Sequence, residues 1–526
     1  MGLLSRLSNI VDSAIYAVAP VYGAQRIATR ALFDAQVERY GQYQGRALEA
    51  AESNRLRDGR WMASRLSTDA FLEMDLEETR TRSRELARND FVGGAIDSRV
   101  EHVVGTGFTV QSKIRAVEGL VSDGDAKRIN DQLELLYEQV EPTACRTRRK
   151  SLWEKSCLAA RLLDMDGEAF VVFSDIGSTD APIPLCVEII DADRVETPPE
   201  KQGSKLVRMG IQYKPSGEID GYWIRKSHPH DNKEFDCSYD FYPASRVQHL
   251  FVEWFAGQSR GLPWMTRSLN RAKDGKDLAE AGIIGAQVEA CFAGFVKSKT
   301  NPVAKAMGAA TSTESSFRIQ EVRPGSMNYL GADDDVTFAT PSKSNAVGTL
   351  MEYNNRTISA GLNWPYEMLM KDWRGVSFAG GRIILNAAKI STQVRQRLIN
   401  DGLLRPFWFR MVDEAVILGE VDIDPRVYRE NLHAFRRHKW AAPKWSYAIT
   451  PGEEVNAIVT AVEHNLMTLA DAHAESQQDF EEVMRQRQIE RAAERENDIV
   501  PSERAAAEKA AQASPQDVQQ TQEAAA

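Results

Sequence analysis

The stretch "DWRGVSFAGGR", residues 372–382, sets a serine among glycines just ahead of a long apolar and basic run. If Ser377 stands on a strained turn between a strand and a helix, the chain is an α/β hydrolase; if it stands at the head of a helix, the same letters are a loop and a cap. The nucleophile elbow needs G-x-S-x-G, but Ala379 takes the second glycine's place, so Gly375, Ser377 and Gly380 give G-x-S-x-x-G. No parallel-sheet pattern leads into it. His433, His438, His464 and His473 follow, yet no Asp-then-His pair stands out as a partner for the serine. Ser377 therefore reads as a turn former or helix N-cap, and a serine hydrolase using Ser377 is the rival from another class.

Downstream, the spacing predicts a helix from Arg382 to about Gly419. Ile383, Ala387, Ile390, Val394 and Leu398 share one stripe, Lys389, Arg395 and Arg397 lie off it, and Pro406 kinks or divides it. Upstream, residues 265–296 read as a helix on which Leu278, Ala281, Gly285, Val288, Phe292 and Phe295 recur at steps of three and four. The small residues on that seam let another helix approach closely, either a core neighbour or an identical helix of a second copy. Between these lie an insert, 297–343, with Pro302, Pro324, Pro341, the turn "RPGSM" and the triplet Asp333, Asp334, Asp335, and a further helix over 344–360. Residues 91–260 alternate short β-rich runs with turn signals and read as an α+β domain; Ile211–Tyr213 and Tyr222–Ile224 flank the hairpin loop around Pro215, Ser216 and Gly217. Residues 1–90 are helical in pattern and crowded with arginine. Residues 420–475 hold the turn "RHKWAAPKWSYAITP" and a shorter helix from Pro451, and beyond 476 a charged helix former runs into a low-complexity end expected to be disordered.

The 526 residues suffice for several domains; 43% are hydrophobic, 27% charged and 10 are Trp, the texture of a folded soluble protein. The five cysteines are odd in number and form no CxxC pair, so a reducing compartment is expected rather than a disulfide framework or zinc knuckle. "MGLLSRLSNIVDSAIYAVAP" reads as an amphipathic arm rather than a signal peptide, and no run suits a membrane span. A formal net charge of −10 argues against a protein that holds DNA by neutralising phosphates.

Other chemical signatures are incomplete. "GLVSDGD" spaces Gly119 and Gly124 like a phosphate loop but puts Asp125 where lysine is needed, and "GTGFTV" lacks the third glycine of a dinucleotide fingerprint. "DMDG", Asp164–Gly167, is a fragment of a calcium loop without its closing Glu. "HPHD", His228–Asp231, reads as a polar hairpin tip before a metal site, and Asp333–Asp335 as a solvated or partner-docking loop before a Mg²⁺ site. A chain of this length without a completed catalytic set, metal site or cofactor signature points to a structural machine rather than an enzyme.

Several stretches in one order resemble the bacteriophage portal proteins of the lambda type. They are "RSRELARNDFVGGAIDSRVEHVVGTGFTV" (82–110), "DMDGEAFVVF", "VEIIDADRVETP", "GIQYKPSGEIDGYWI", "RGLPWMTRSLNRAKDGKDLAEAGIIGAQVEACFAGFV" (260–296), "GLNWPYEMLMKDWRGVSFAGGRIILNAAKI" (361–390), "LLRPFWFRMVDEAVILG" and the segment from "WAAPKW" to "DFEEV". The likeness covers roughly residues 30–490. One departure is that Gly380 and Gly381 precede Arg382 where the family commonly has Ser-Ser or Asn-Ser.

The resemblance implies an α+β portal fold with an α/β wing, two-helix stem, small α/β clip and helical crown, assembled as a ring of about a dozen subunits at one capsid vertex. Carried over by segment, it gives an N-terminal arm (1–29), wing (30–264), first stem helix (265–296), clip (297–343) and second stem helix (344–361). A tunnel-loop region (362–381), a long helix returning to the wing (382–419), crown (420–475) and charged helix with tail (476–526) complete it. It implies double-stranded DNA threaded without sequence reading, with Lys371, Trp373, Arg374, Ser377, Phe378 and Arg382 toward the channel. Arg323 and Asp333–Asp335 in the clip would dock the terminase large subunit and later the neck or head-tail connector proteins. Leu278, Ala281, Gly285, Val288 and Phe292 would pack the stem. Major capsid, scaffold and protease proteins are further implied partners, the site of assembly is the bacterial cytoplasm, and no membrane is involved. Another head or neck assembly protein is the nearer rival.

Overall fold

The computed structural model describes residues 66–116, 121–177, 181–231, 236–291, 295–298, 334–337, 346–443, 451–475 and 478–496. The elements below belong to one unit that begins at Thr68. The expected arm (1–29), most of the clip and the tail beyond 496 lie outside the described residues. Among the described residues no helix is long and apolar enough to cross a membrane.

Helices α1 (Thr68–Asn89) and α2 (Phe91–Val103) meet at Asp90, whose carboxylate accepts from the Phe91 N–H and caps α2. After strand β1 (Thr109–Ser112), α3 (Asp123–Val140) is capped by Ser122 and buries Ala126, Ile129, Leu133, Leu136 and Val140 at helical spacing. A capping box between Ser151 and Glu154 starts α4 (Leu152–Met165).

Strand β2 (Glu168–Asp175) is the central strand of a three-stranded sheet. It pairs antiparallel with β3 (Leu185–Ile190) on one side and β8 (Val247–Phe251) on the other. "AFVVF" is continuously apolar because both faces of this sheet are covered. Ala169, Val171 and Phe173 enter the main core, while Phe170 and Val172 enter a smaller one shared with Ile211, Tyr222 and Ile224 of a second sheet. That sheet runs β4 (Val207–Arg208), β5 (Ile211–Tyr213), β6 (Ile219–Arg225) and β7 (Tyr239–Pro243), with Ile211 opposite Tyr222 and Gly217 at φ +90° in the intervening turn.

A 3₁₀ turn at Trp264–Arg267 leads into α5 (Leu269–Cys291), shorter at both ends than the expected 265–296. Phe295 leaves the predicted helical seam because it lies on β9 (Phe295–Ser298), paired with Thr337 of β10 (Asp334–Thr337). Helix α6 (Ala346–Leu362) returns antiparallel to α5, with Asn354 Nδ2 donating to the Arg271 carbonyl and Val347 beside Gly282.

A short α7 (Tyr366–Met370) is followed by α8 (Phe378–Ile399), a single π turn (Asn400–Leu404) and α9 (Arg405–Leu418). The helix expected from Arg382 therefore begins four residues earlier, and the π turn divides it. Pro406 is the second residue of α9, directly after the π turn. Helices α10 (Pro425–Glu430) and α11 (Leu432–Phe435) and strand β11 (His438–Ala441) follow, with β11 paired to β1. Val421, Ile423, Tyr428 and Phe435 enter the main core. Residues 421–441, within the segment expected as crown (420–475), pack on the main core and pair with β1. Helices α12 (Pro451–Glu463), α13 (Leu469–Glu475) and α14 (Phe480–Glu496) end the described chain.

Candidate functional site

The opening stretch is a tightly hydrogen-bonded turn between two helices. Lys371 ends α7 in the left-handed region at φ 52°, and the Asp372 N–H donates to the Glu367 carbonyl at 3.1 Å. Asp372 Oδ1 accepts from the backbone N–H of Arg374 at 3.2 Å, an Asx turn, and the Arg374 guanidinium folds back on the same carboxylate, Nε to Oδ1 at 2.8 Å and Nη2 to Oδ2 at 2.7 Å. These bonds hold the Asp372 carboxyl down at about 2. Gly375, at φ +74°, turns the chain into Ser377, which is the N-cap of α8: its hydroxyl oxygen accepts from the Gly380 N–H at 3.2 Å. Ser377 therefore stands at the head of a helix and not on a strand-to-helix elbow. Gly380 and Gly381 lie in the first turn of α8, and of the three glycines in this stretch only Gly375 has a conformation that calls for glycine. Lys371, Trp373, Arg374, Phe378 and Arg382 are exposed.

Behind the turn, charged groups are buried and paired. Asp164 on α4 holds Arg99 of α2 (Nε, 3.1 Å) and Arg395 of α8 (Nη2, 3.3 Å), and Arg99 lies 3.8 Å above the Trp264 ring and 5.2 Å from that of Trp364. Burial lowers the Arg99 guanidinium to about 10, with Asp164 opposing. Gln396 donates to the Val103 carbonyl at 3.2 Å. Helix α8 is thereby fixed to α2 and α4.

A second network ties α1 to the central sheet. Glu168, fully buried, meets Arg80, Arg260 (Nη2, 2.7 Å), His249 (Nε2, 2.8 Å) and the Gly261 N–H (2.8 Å). Burial would raise its carboxyl, but Arg260 and Arg80, with His249, hold it well below the usual range. Arg84 binds Asp166, Asp191 and Asp193.

These contacts account for the metal-like fragments. The carboxylates of "DMDG" face arginines, and Gly167 is there because its φ of +88° and the adjacent Leu262 backbone leave no room for a side chain. His228 does come within 4.0 Å of Asp191 and 3.8 Å of Asp193, close enough together to hold a cation, but Arg84 already sits on both carboxylates.

On α5, Leu278 is half-buried and Ala281 and Gly285 are exposed, while Val288 is placed by its backbone and Phe292 lies outside the described residues. Asp334 and Asp335 are on β10, and Arg323 and Asp333 lie outside the described residues. Sequence reasoning passed over Asp372, although Asp two residues before an arginine in a turn is the signal for the Asx geometry found. Arg99 and Glu168 were not singled out, and Asp164, placed in a calcium-loop fragment, and Arg395, placed off the apolar stripe, belong instead to a buried ion-pair group.

A probable portal protein of Halomonas phage phiHAP-1 is 24% identical over 460 residues, covering 84% of this chain and 85% of that protein. Portal protein B of Escherichia phage lambda is 21% identical over 472 residues, covering 81% and 85%. Among solved structures, a chain from the neck of an empty gene transfer agent particle aligns over 74% of this chain and 92% of its own length, with TM-score 0.41 and 10% identity. The model of the family described as phage portal protein, lambda family, matches residues 54–396, the stretch that holds both buried networks and the capped turn, and the chain belongs to that family.

Proposed function

We propose that this chain is the subunit of a portal ring of about a dozen copies, closed by head-to-tail contacts, that forms the conduit for double-stranded DNA at one capsid vertex. Beyond family membership, one observation supports the ring: the apolar stripe of α8 is uncovered in a single chain, with Ile383 71%, Ile390 66% and Val394 62% exposed. Ile283 and Ile284 of α5, beside Ala281 and Gly285, are exposed too, as a stem helix awaiting its neighbour would be.

In this reading the turn at 371–378, with Arg382, faces the channel. The β9–β10 clip, with Arg323 and Asp333–Asp335, docks the terminase large subunit during packaging and the neck proteins afterwards. Hydrolysis of ATP belongs to the terminase. The cap on α8 accounts for Ser377 without a nucleophilic role. Electron microscopy of the purified protein tests the proposal: rings of about a dozen subunits with an axial hole wide enough for duplex DNA support it, and persistent monomers under assembly-promoting conditions overturn it. Capture by a serine-reactive probe, abolished by Ser377→Ala, would favour the hydrolase.

A further inference from the structure

Arg374 points outward from the turn, its side chain 90% exposed against 22% for Asp372. Its engaged edge is the Nε–Nη2 fork, which is also an edge a guanidinium uses to clamp a phosphate at two points. Asp372 is placed independently of that pairing, by the bond from its own N–H to Glu367 and by the left-handed residue before it. We propose that Asp372 masks Arg374, so that the tip of the turn offers passing DNA bulk instead of a phosphate clamp, leaving Lys371 and Arg382 as its exposed cations. This rests on the reading that the turn lines the channel.

A single exposed ion pair contributes little. Ring symmetry changes its weight, because unmasking one arginine per subunit adds about a dozen cations to one constriction. Each further phosphate that the ring neutralises then steepens the dependence of log K on log salt by about 0.9. Trp373 and Phe378, exposed on either side, supply bulk without charge.

The test uses assembled full-length rings and a short duplex, with binding measured across a salt series. Asp372→Asn should bind more tightly at low salt, with a slope steeper by about 0.9 for every phosphate newly neutralised, and Asp372→Asn with Arg374→Ala should return to the wild-type line. Should Asp372→Asn fail to form rings, Asp372→Ser serves instead, since its hydroxyl can keep the turn bond from the Arg374 N–H while removing the carboxylate, and its slope should steepen likewise. Deletion of 373–381 separates the two readings. If the deletion impairs DNA filling while Asp372→Asn, or Asp372→Ser in its place, leaves the salt slope unchanged, masking is overturned and the channel reading stands. If the deletion leaves filling and retention normal, the channel reading falls and masking falls with it.

Discussion

Glu168 has no solvent exposure and two arginines on it, so its removal is a charge problem more than a packing one. Glu168→Gln keeps the volume but leaves Arg80 and Arg260 buried without their counter-charge, and should destabilise the protein by roughly 3–5 kcal/mol in urea unfolding. The pH dependence follows in sign. The Glu168 carboxyl is held below its ordinary 4.5, so its contribution is complete above that pH and is lost as pH falls toward the folded value. His249 is lowered from 6.5 by burial, against the pull of Glu168, so the unfolded chain takes up its proton first on acidification. His249 makes stability fall as pH drops from about 6.5 and Glu168 adds to the fall below about 4.5, which a melting-temperature series would record. The network was only half legible in the sequence. "ETRTRSRELARND" looks like a solvated arginine-rich face, yet Leu72, Leu76 and Arg80 continue one stripe at steps of four, and all three are buried. An arginine that takes the next place on an apolar stripe announces a buried partner; it does not say that the partner lies on β2.

Between α8 and α9 the π turn gives the chain one extra residue per turn where the helix passes β8. Gly402 lies against that strand, and a Cβ there would meet Leu250 Cγ at 2.5 Å. Gly402→Ala should therefore cost about 1–3 kcal/mol by overpacking, and Leu250→Ala in the same chain should recover part of the loss; equal denaturation midpoints for wild type and Gly402→Ala would contradict the close approach. The periodicity of α8 was readable in its sequence, but its orientation was not. Its inward face is Ala388, Thr392, Gln396 and Ile399, less apolar than the outward Ile383, Ile390 and Val394. Hydrophobic pattern assigns the greasier stripe to the core of the same chain. Here Gln396 and Arg395 are turned inward by the Val103 carbonyl and Asp164, groups supplied by α2 and α4 more than two hundred residues earlier. The β5–β6 hairpin was easier to read because its register depends only on neighbours in sequence.

For the assembly, the uncovered stripe makes a prediction that separates an interface from a core. A buried isoleucine replaced by glutamate would unfold the subunit, since losing its side chain alone costs about 2–5 kcal/mol before the charge is counted. Ile390 and Val394 are already in water in the single chain, so Ile390→Glu with Val394→Glu should leave far-UV circular dichroism and the melting temperature of the monomer close to wild type. In a ring, each substitution recurs at every subunit boundary, and like charges are pressed into a surface meant to exclude water. Mass photometry should then find monomers or open fragments at concentrations where the wild type forms closed rings, and raising the salt should rescue assembly only in part, because screening relieves the repulsion but not the desolvation of a carboxylate against an apolar partner. Closed rings from the double variant would place the subunit boundary elsewhere, with Ile283 and Ile284 of α5 as the next apolar surface to carry it.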